Sequence, residues 1–260
     1  MTHAQIRKES FSKRRPILAV VIIELLLLFA VFAAGAVATI KQLDYTSPVL
    51  LSFIPIAIVL ITYLTLRRKW GEIGFRSLRT IPAQHTKYYI PLLLVLGTIA
   101  LKGFGELTLS KVIFFIFFTL LVAFVEETIY RGLVFNILLR KSAVAAVLTS
   151  SILFSITHIM NALSGQDIAD IALQLVYALL IGAVLALLML KNGNIVPLVL
   201  FHFVHNLIQF LGDDLQDTGT LPYDIFILVV LVGYCIWLTY SLRTHRHNME
   251  SSHTSKPVSR

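Results

Sequence analysis

The chain has 260 residues, of which 57% are hydrophobic and 14% charged, with a mean hydropathy of +0.82 and a formal net charge of +8. Soluble globular chains carry about 25% charged residues, and a water-facing surface needs polar residues that this chain lacks. A soluble enzyme, a nucleic-acid reader and a disordered scaffold are poor fits; the composition predicts an all-α, polytopic transmembrane helix bundle.

Residues 1–15 form a basic cytoplasmic tail with Arg7, Lys8, Lys13, Arg14 and Arg15. The apolar run from Pro16 to Ile40 far exceeds the about 7–15 residues of a signal-peptide core and ends without a convincing cleavage site. It is expected to be a retained first span. Further spans are predicted over about 46–66, 88–105, 109–139, 142–163, 171–190, 195–212 and 225–242, about eight helices of roughly 20 residues each. They make one transmembrane domain over 16–242, with its motif core at 109–212. The basic segment 67–87 carries Trp70, Ile73, Phe75, Leu78 and Ile81 and is expected along the cytoplasmic interface. Residues 243–260 are polar and predicted to be a disordered cytoplasmic tail. His245, His247 and His253 sit there in no defined ligand geometry. Cys235, the single cysteine, excludes an intramolecular disulfide and a Cys-ligated zinc site.

The charges sort by side. Arg67, Arg68, Lys69, Arg76, Arg79, Lys87, Arg140, Lys141, Lys191, Arg243 and Arg246 fall with the N-terminal basics. Asp44, Glu106, Asp167, Asp170, Asp213, Asp214, Asp217 and Asp224 fall opposite. A Lys/Arg excess marks the cytoplasmic side, so a multi-pass protein of the cell membrane, of bacterial plasma-membrane type, is expected with both termini cytoplasmic. The net positive charge is then a topology signal and an attraction to anionic lipid headgroups; no nucleic-acid partner is expected.

Ionisable groups cost several kcal/mol at bilayer depth, so those present mark function. The fourth span holds Glu126, Glu127, Tyr130 and Arg131. Neighbours on a helix point about 100° apart. Glu127 is therefore predicted to pair with Arg131 four residues on, leaving Glu126 available, with Tyr130 as its hydrogen-bond partner. The fifth span carries a polar stripe of Ser151, Ser155 and His158, with Phe154 beside the imidazole. In the seventh, His202, His205, Asn206 and Gln209 share one face and imply a polar cavity within the membrane. Glu24 in the first span has no partner assigned by sequence.

A carboxylate and an imidazole facing one cavity can polarise water and move its proton, and a His and an Asn four apart can donate to a developing oxyanion. These are the parts of an amide hydrolase acting on a membrane-borne peptide. The zinc-helix and Ser-nucleophile motifs are absent, and every Asp falls near a predicted outer loop.

Glu126-Glu127-x-x-Tyr130-Arg131, Phe154-x-x-x-His158 and His202-x-x-x-Asn206 resemble, in order, the three motifs of the CAAX protease and bacteriocin-processing (CPBP, or Abi) intramembrane proteases. The resemblance implies that Glu126 and His158 activate water, that His202 and Asn206 form the oxyanion site, and that Glu127 with Arg131 supports it. His205 is outside the family pattern. Eukaryotic members cleave prenylated CAAX termini; bacterial members are associated with bacteriocin self-immunity, peptide maturation or pheromone processing. This compact chain resembles the bacterial kind. The competing reading is a non-enzymatic immunity protein or transporter that binds a peptide in the same cavity. No metal is favoured; if one is used, Glu126, His158 and His202 are the ligands of a zinc ion with one position left for water.

Overall fold

Unpaired backbone groups are too costly in hydrocarbon, so long apolar runs close their hydrogen bonds within helices. The computed structural model describes residues 10–160, 167–212 and 221–254, with 245–254 as backbone. A short α1 (Phe11–Arg14) precedes α2 (Pro16–Lys41), opened by a proline whose missing N–H is harmless at the first position. The chain continues through α3 (Ser47–Leu66) and α4 (Ile90–Ala100). Next come α5 (Leu109–Glu127), a π-helical turn (Thr128–Val134) and α6 (Phe135–Leu139). The remaining helices are α7 (Ala143–Thr157), α8 (Ile168–Asn192), α9 (Val196–Leu211) and α10 (Leu221–Thr254).

Every predicted span corresponds to a helix, in the predicted order. Six helices are long and apolar enough to cross a membrane: those starting at Pro16, Ser47, Leu109, Ala143, Ile168 and Leu221. The other two, α4 and α9, have 11 and 16 residues. At 1.5 Å per residue they reach about 16 and 24 Å, short of the roughly 30 Å hydrocarbon core. This is a multi-pass membrane protein, all-α among the described residues apart from one isolated bridge, Phe104 to Gly212, that ties the segment after α4 to the end of α9.

One feature differs from expectation. The chain from Arg243 is not disordered throughout, because α10 continues to Thr254. No Gly or Pro lies between Gly233 and Pro257 to stop it. Segment 67–89 forms turns and two 3₁₀ helices, Leu78–Thr80 and Ala83–Tyr89, and folds back onto the bundle. Trp70 and Phe75 pack against Phe124 of α5, and buried Ile73 sits on Gly132. A Cβ at Gly132 would stand 3.3 Å from Ile73 Cδ1, so only the absent side chain allows this approach. Asp213, Asp214, Asp217, the end of predicted span 142–163 and the side chains of His245, His247 and His253 lie outside the described residues.

The same segment fixes the start of α9. Fully buried Asn194 donates Nδ2 to the carbonyls of Arg76 and Ser77, while its Oδ1 accepts from the Val196 amide. Ile195 N–H donates to the Gly74 carbonyl. These bonds lock the α8–α9 turn and set the depth at which the next two turns present His202, His205 and Asn206.

Candidate active site

Glu126 and Glu127 close α5, and their side chains part as the 100° spacing requires. Glu127 is fully buried behind the helix wall and receives Arg131 Nη1 at 3.0 Å. Glu126 keeps 14% side-chain exposure and lines a cavity of about 340 Å³. Arg131 leaves the π-turn, donates Nη2 to the Gly182 carbonyl of α8 at 3.1 Å and lies 4.4 Å over the Phe154 ring. Gly182 permits that approach: a Cβ there would meet Phe154 Cδ1 at 3.2 Å and Arg131 Nη2 at 3.4 Å. A π-turn leaves carbonyls out of the regular ladder. Asn136 takes two of them, bonding Arg131 O at 3.2 Å and Gly132 O at 2.7 Å.

His202 joins the two carboxylates. Its Nδ1 donates to Glu127 Oε1 at 2.9 Å, and its Nε2 stands 3.4 Å from Glu126 Oε2. Glu127 is thereby shared by Arg131 and His202, and Glu126 faces the second imidazole nitrogen. Charge balance matters here because uncompensated buried charge is strongly destabilising. His202, 75 residues from Glu127 in the chain, thus bridges the two adjacent carboxylates.

His158 presents the opposite arrangement. Its Nδ1 lies 2.9 Å from the Phe154 carbonyl, an acceptor, so Nδ1 carries a hydrogen and Nε2 is the nitrogen left by this bond. Phe154 is the common wall of the site, edge-on to Tyr130, His158 and His202. The cavity is lined by Glu126, His158, His202, His205, Asn206 and Gln209, with Leu27, Val31, Val49, Phe53, Phe118 and Val122 on its apolar side. Among the described residues no three His, Cys, Asp or Glu side chains are placed to hold a metal ion together. Glu126, His158 and His202 share the cavity without forming a chelate.

Residues 108–208 match the family described as type II CAAX prenyl endopeptidase Rce1-like. This segment is similar to that family. It runs from the N-cap of α5 almost to the end of α9 and contains Glu126, His158, His202 and Asn206, while α2 and α3 add the apolar side of the cavity from outside it. No curated protein matches the chain. The family is one of membrane proteases, in agreement with the resemblance carried by the three motifs.

Within the Rce1-like core, one predicted contact is replaced. The Tyr130 hydroxyl points to Glu24 Oε2 at 3.5 Å rather than to Glu126. Glu24 sits on α2, 106 residues earlier in the chain, and its burial in an apolar span was the only sequence sign that it had a partner. Sequence reasoning also missed Tyr177 of α8, whose hydroxyl lies 2.5 Å from His205 Nε2. A tyrosine in an apolar helix is ordinary, and nothing local marks its partner.

Proposed function

We propose that the chain is an intramembrane endopeptidase that hydrolyses a peptide bond of a membrane-associated peptide or protein with water activated by Glu126 and His158. The observation that carries this reading is the placement of His202, which holds Glu127 with one nitrogen and faces Glu126 with the other inside a largely apolar cavity. Glu126 takes a proton from water while the His158 Nε2 lone pair holds the second hydrogen. The oxygen attacks the scissile carbonyl carbon, and the carbonyl electron pair becomes an oxyanion. His202 Nε2–H, loosely held by Glu126 at 3.4 Å, turns to the oxyanion together with the Asn206 amide. As the C–N bond breaks, Glu126 returns its proton to the departing amine. Glu127 and Arg131 keep His202 oriented.

The apolar lining suits a substrate that arrives with a lipid-like or hydrophobic flank, as a CAAX-type prenylated terminus or a bacteriocin-related peptide would. Anionic headgroups are the lipid partner that the basic ends favour, and the same charges support cytoplasmic termini. We propose that the reaction needs no metal, since His202 and Asn206 have the spacing of paired oxyanion donors, a role that metal ligation would take from His202. The test is cleavage of a quenched, prenylated CAAX peptide by the purified protein in lipid vesicles. Cleavage that disappears in Glu126→Gln is expected. Cleavage retained by Glu126→Gln would overturn the assigned base, and binding of the peptide without cleavage would favour an immunity or transport protein.

A further inference from the structure

His205 faces the cavity beside Asn206 and falls outside the three motifs, yet it is buried and fully engaged. Its Nε2 lies 2.5 Å from the Tyr177 hydroxyl, and its Nδ1 lies 3.0 Å from Asn206 Oδ1. The imidazole also stacks on Tyr177, with ring centroids 5.5 Å apart, and packs against Phe201 at 5.7 Å. The amide oxygen can only accept, so Nδ1 must carry the hydrogen. A neutral imidazole then leaves Nε2 as an acceptor, which requires the tyrosine hydroxyl to donate. Each bond fixes the direction of the next, from Tyr177 through His205 to Asn206.

A carboxamide has one acceptor end and one donor end, and a flip exchanges them. His205 occupies the oxygen of Asn206. The end left uncommitted by this relay is Nδ2–H₂, the end that an oxyanion needs. A flipped Asn206 would present a carbonyl oxygen to developing negative charge and repel it. We infer that Tyr177 and His205 are positioning residues that lock the Asn206 carboxamide with its N–H₂ available to the reacting carbonyl. The inference rests on the proposed role of Asn206 as oxyanion donor.

The relay acts on the transition state, so its loss should lower kcat and leave KM nearly unchanged. Tyr177→Phe keeps the stacked ring and removes only the hydroxyl; His205→Phe keeps the packing and removes both nitrogens. On a quenched, prenylated CAAX peptide in vesicles, Asn206→Ala should lose about 10²–10³-fold in kcat. Tyr177→Phe should lose up to about tenfold, the worth of one orienting hydrogen bond, with KM within about twofold of wild type. In an Asn206→Ala background, Tyr177→Phe should cost nothing more. Equal additive losses in both backgrounds, or a rise in KM with kcat intact, would overturn the relay while leaving Asn206 as a donor. Unchanged kcat in Asn206→Ala would instead overturn the oxyanion role itself. Nitrogen-15 shifts of the His205 ring give a readout independent of substrate. Protonated Nδ1 and bare Nε2 are expected in the wild type, and the reverse tautomer would overturn the inference.

Discussion

His202 Nδ1 and Glu127 Oε1 stand 2.9 Å apart although 75 residues separate them in the chain. That bond links the third motif to the first and makes Glu127 the shared acceptor of an imidazole and the guanidinium of Arg131. It also divides labour between the adjacent carboxylates. Glu127 holds the assembly from behind the wall, and Glu126 is presented to the cavity.

That division predicts different outcomes for two conservative variants. Glu126→Gln keeps the shape and removes the base, so turnover should fall by about 10²–10⁴-fold with the melting temperature nearly unchanged. Glu127→Gln leaves Arg131 and His202 without their carboxylate in a dry site and should cost about 3–5 kcal/mol of stability as well as turnover. Thermal unfolding and activity of the purified variants check this. Equal loss of stability in both would contradict the division.

Gly182 should resist even the smallest side chain. In an exposed helix Gly→Ala is favourable by about 1 kcal/mol. Here the new Cβ would lie 3.2 Å from Phe154 Cδ1 and 3.4 Å from Arg131 Nη2. Gly182→Ala is therefore expected to destabilise by about 1–3 kcal/mol through overpacking and to lower turnover by displacing Arg131. A higher melting temperature with full activity would show that the contact relaxes freely.

The helices were legible because each apolar run is long and bounded by charge, and the Glu127–Arg131 pair was legible because four residues is one helical turn. The cavity face of α9 followed from His202, His205, Asn206 and Gln209 sharing one side. What sequence spacing does not carry is the partner on another helix. Tyr130 found Glu24 rather than Glu126, and His205 found Tyr177, because helix packing brings together residues whose separation has no period. The π-turn was hidden as well, since Thr128–Val134 reads as ordinary helix until Asn136 is seen bonding the displaced carbonyls. The end of α10 was missed for the converse reason: a polar composition suggested disorder where no residue breaks the helix.

The topology has its own test. We propose eight crossings with cytoplasmic termini from the distribution of Lys and Arg. Reporter fusions after Arg79 and Lys191 should report the inside, and fusions after Gly165 and Leu215 the outside. An odd number of crossings between Arg79 and Lys191 would contradict this map.

Metal removal separates the two hydrolytic chemistries. With Glu126 as base and His202 paired to carboxylates, activity should survive extensive dialysis against a strong chelator, without stoichiometric zinc by elemental analysis. Loss of activity restored by one equivalent of zinc would reassign Glu126, His158 and His202 as ligands and remove His202 from the oxyanion site.

The most direct measurement of the central claim compares membrane peptides from cells carrying the wild-type chain with those from cells carrying Glu126→Gln at equal abundance in the membrane. Peptide hydrolysis by Glu126 predicts cleavage products, with new termini near or within the bilayer, that are present in the first and absent from the second. Identical peptide profiles in the two strains, with any associated phenotype retained by the variant, would contradict it.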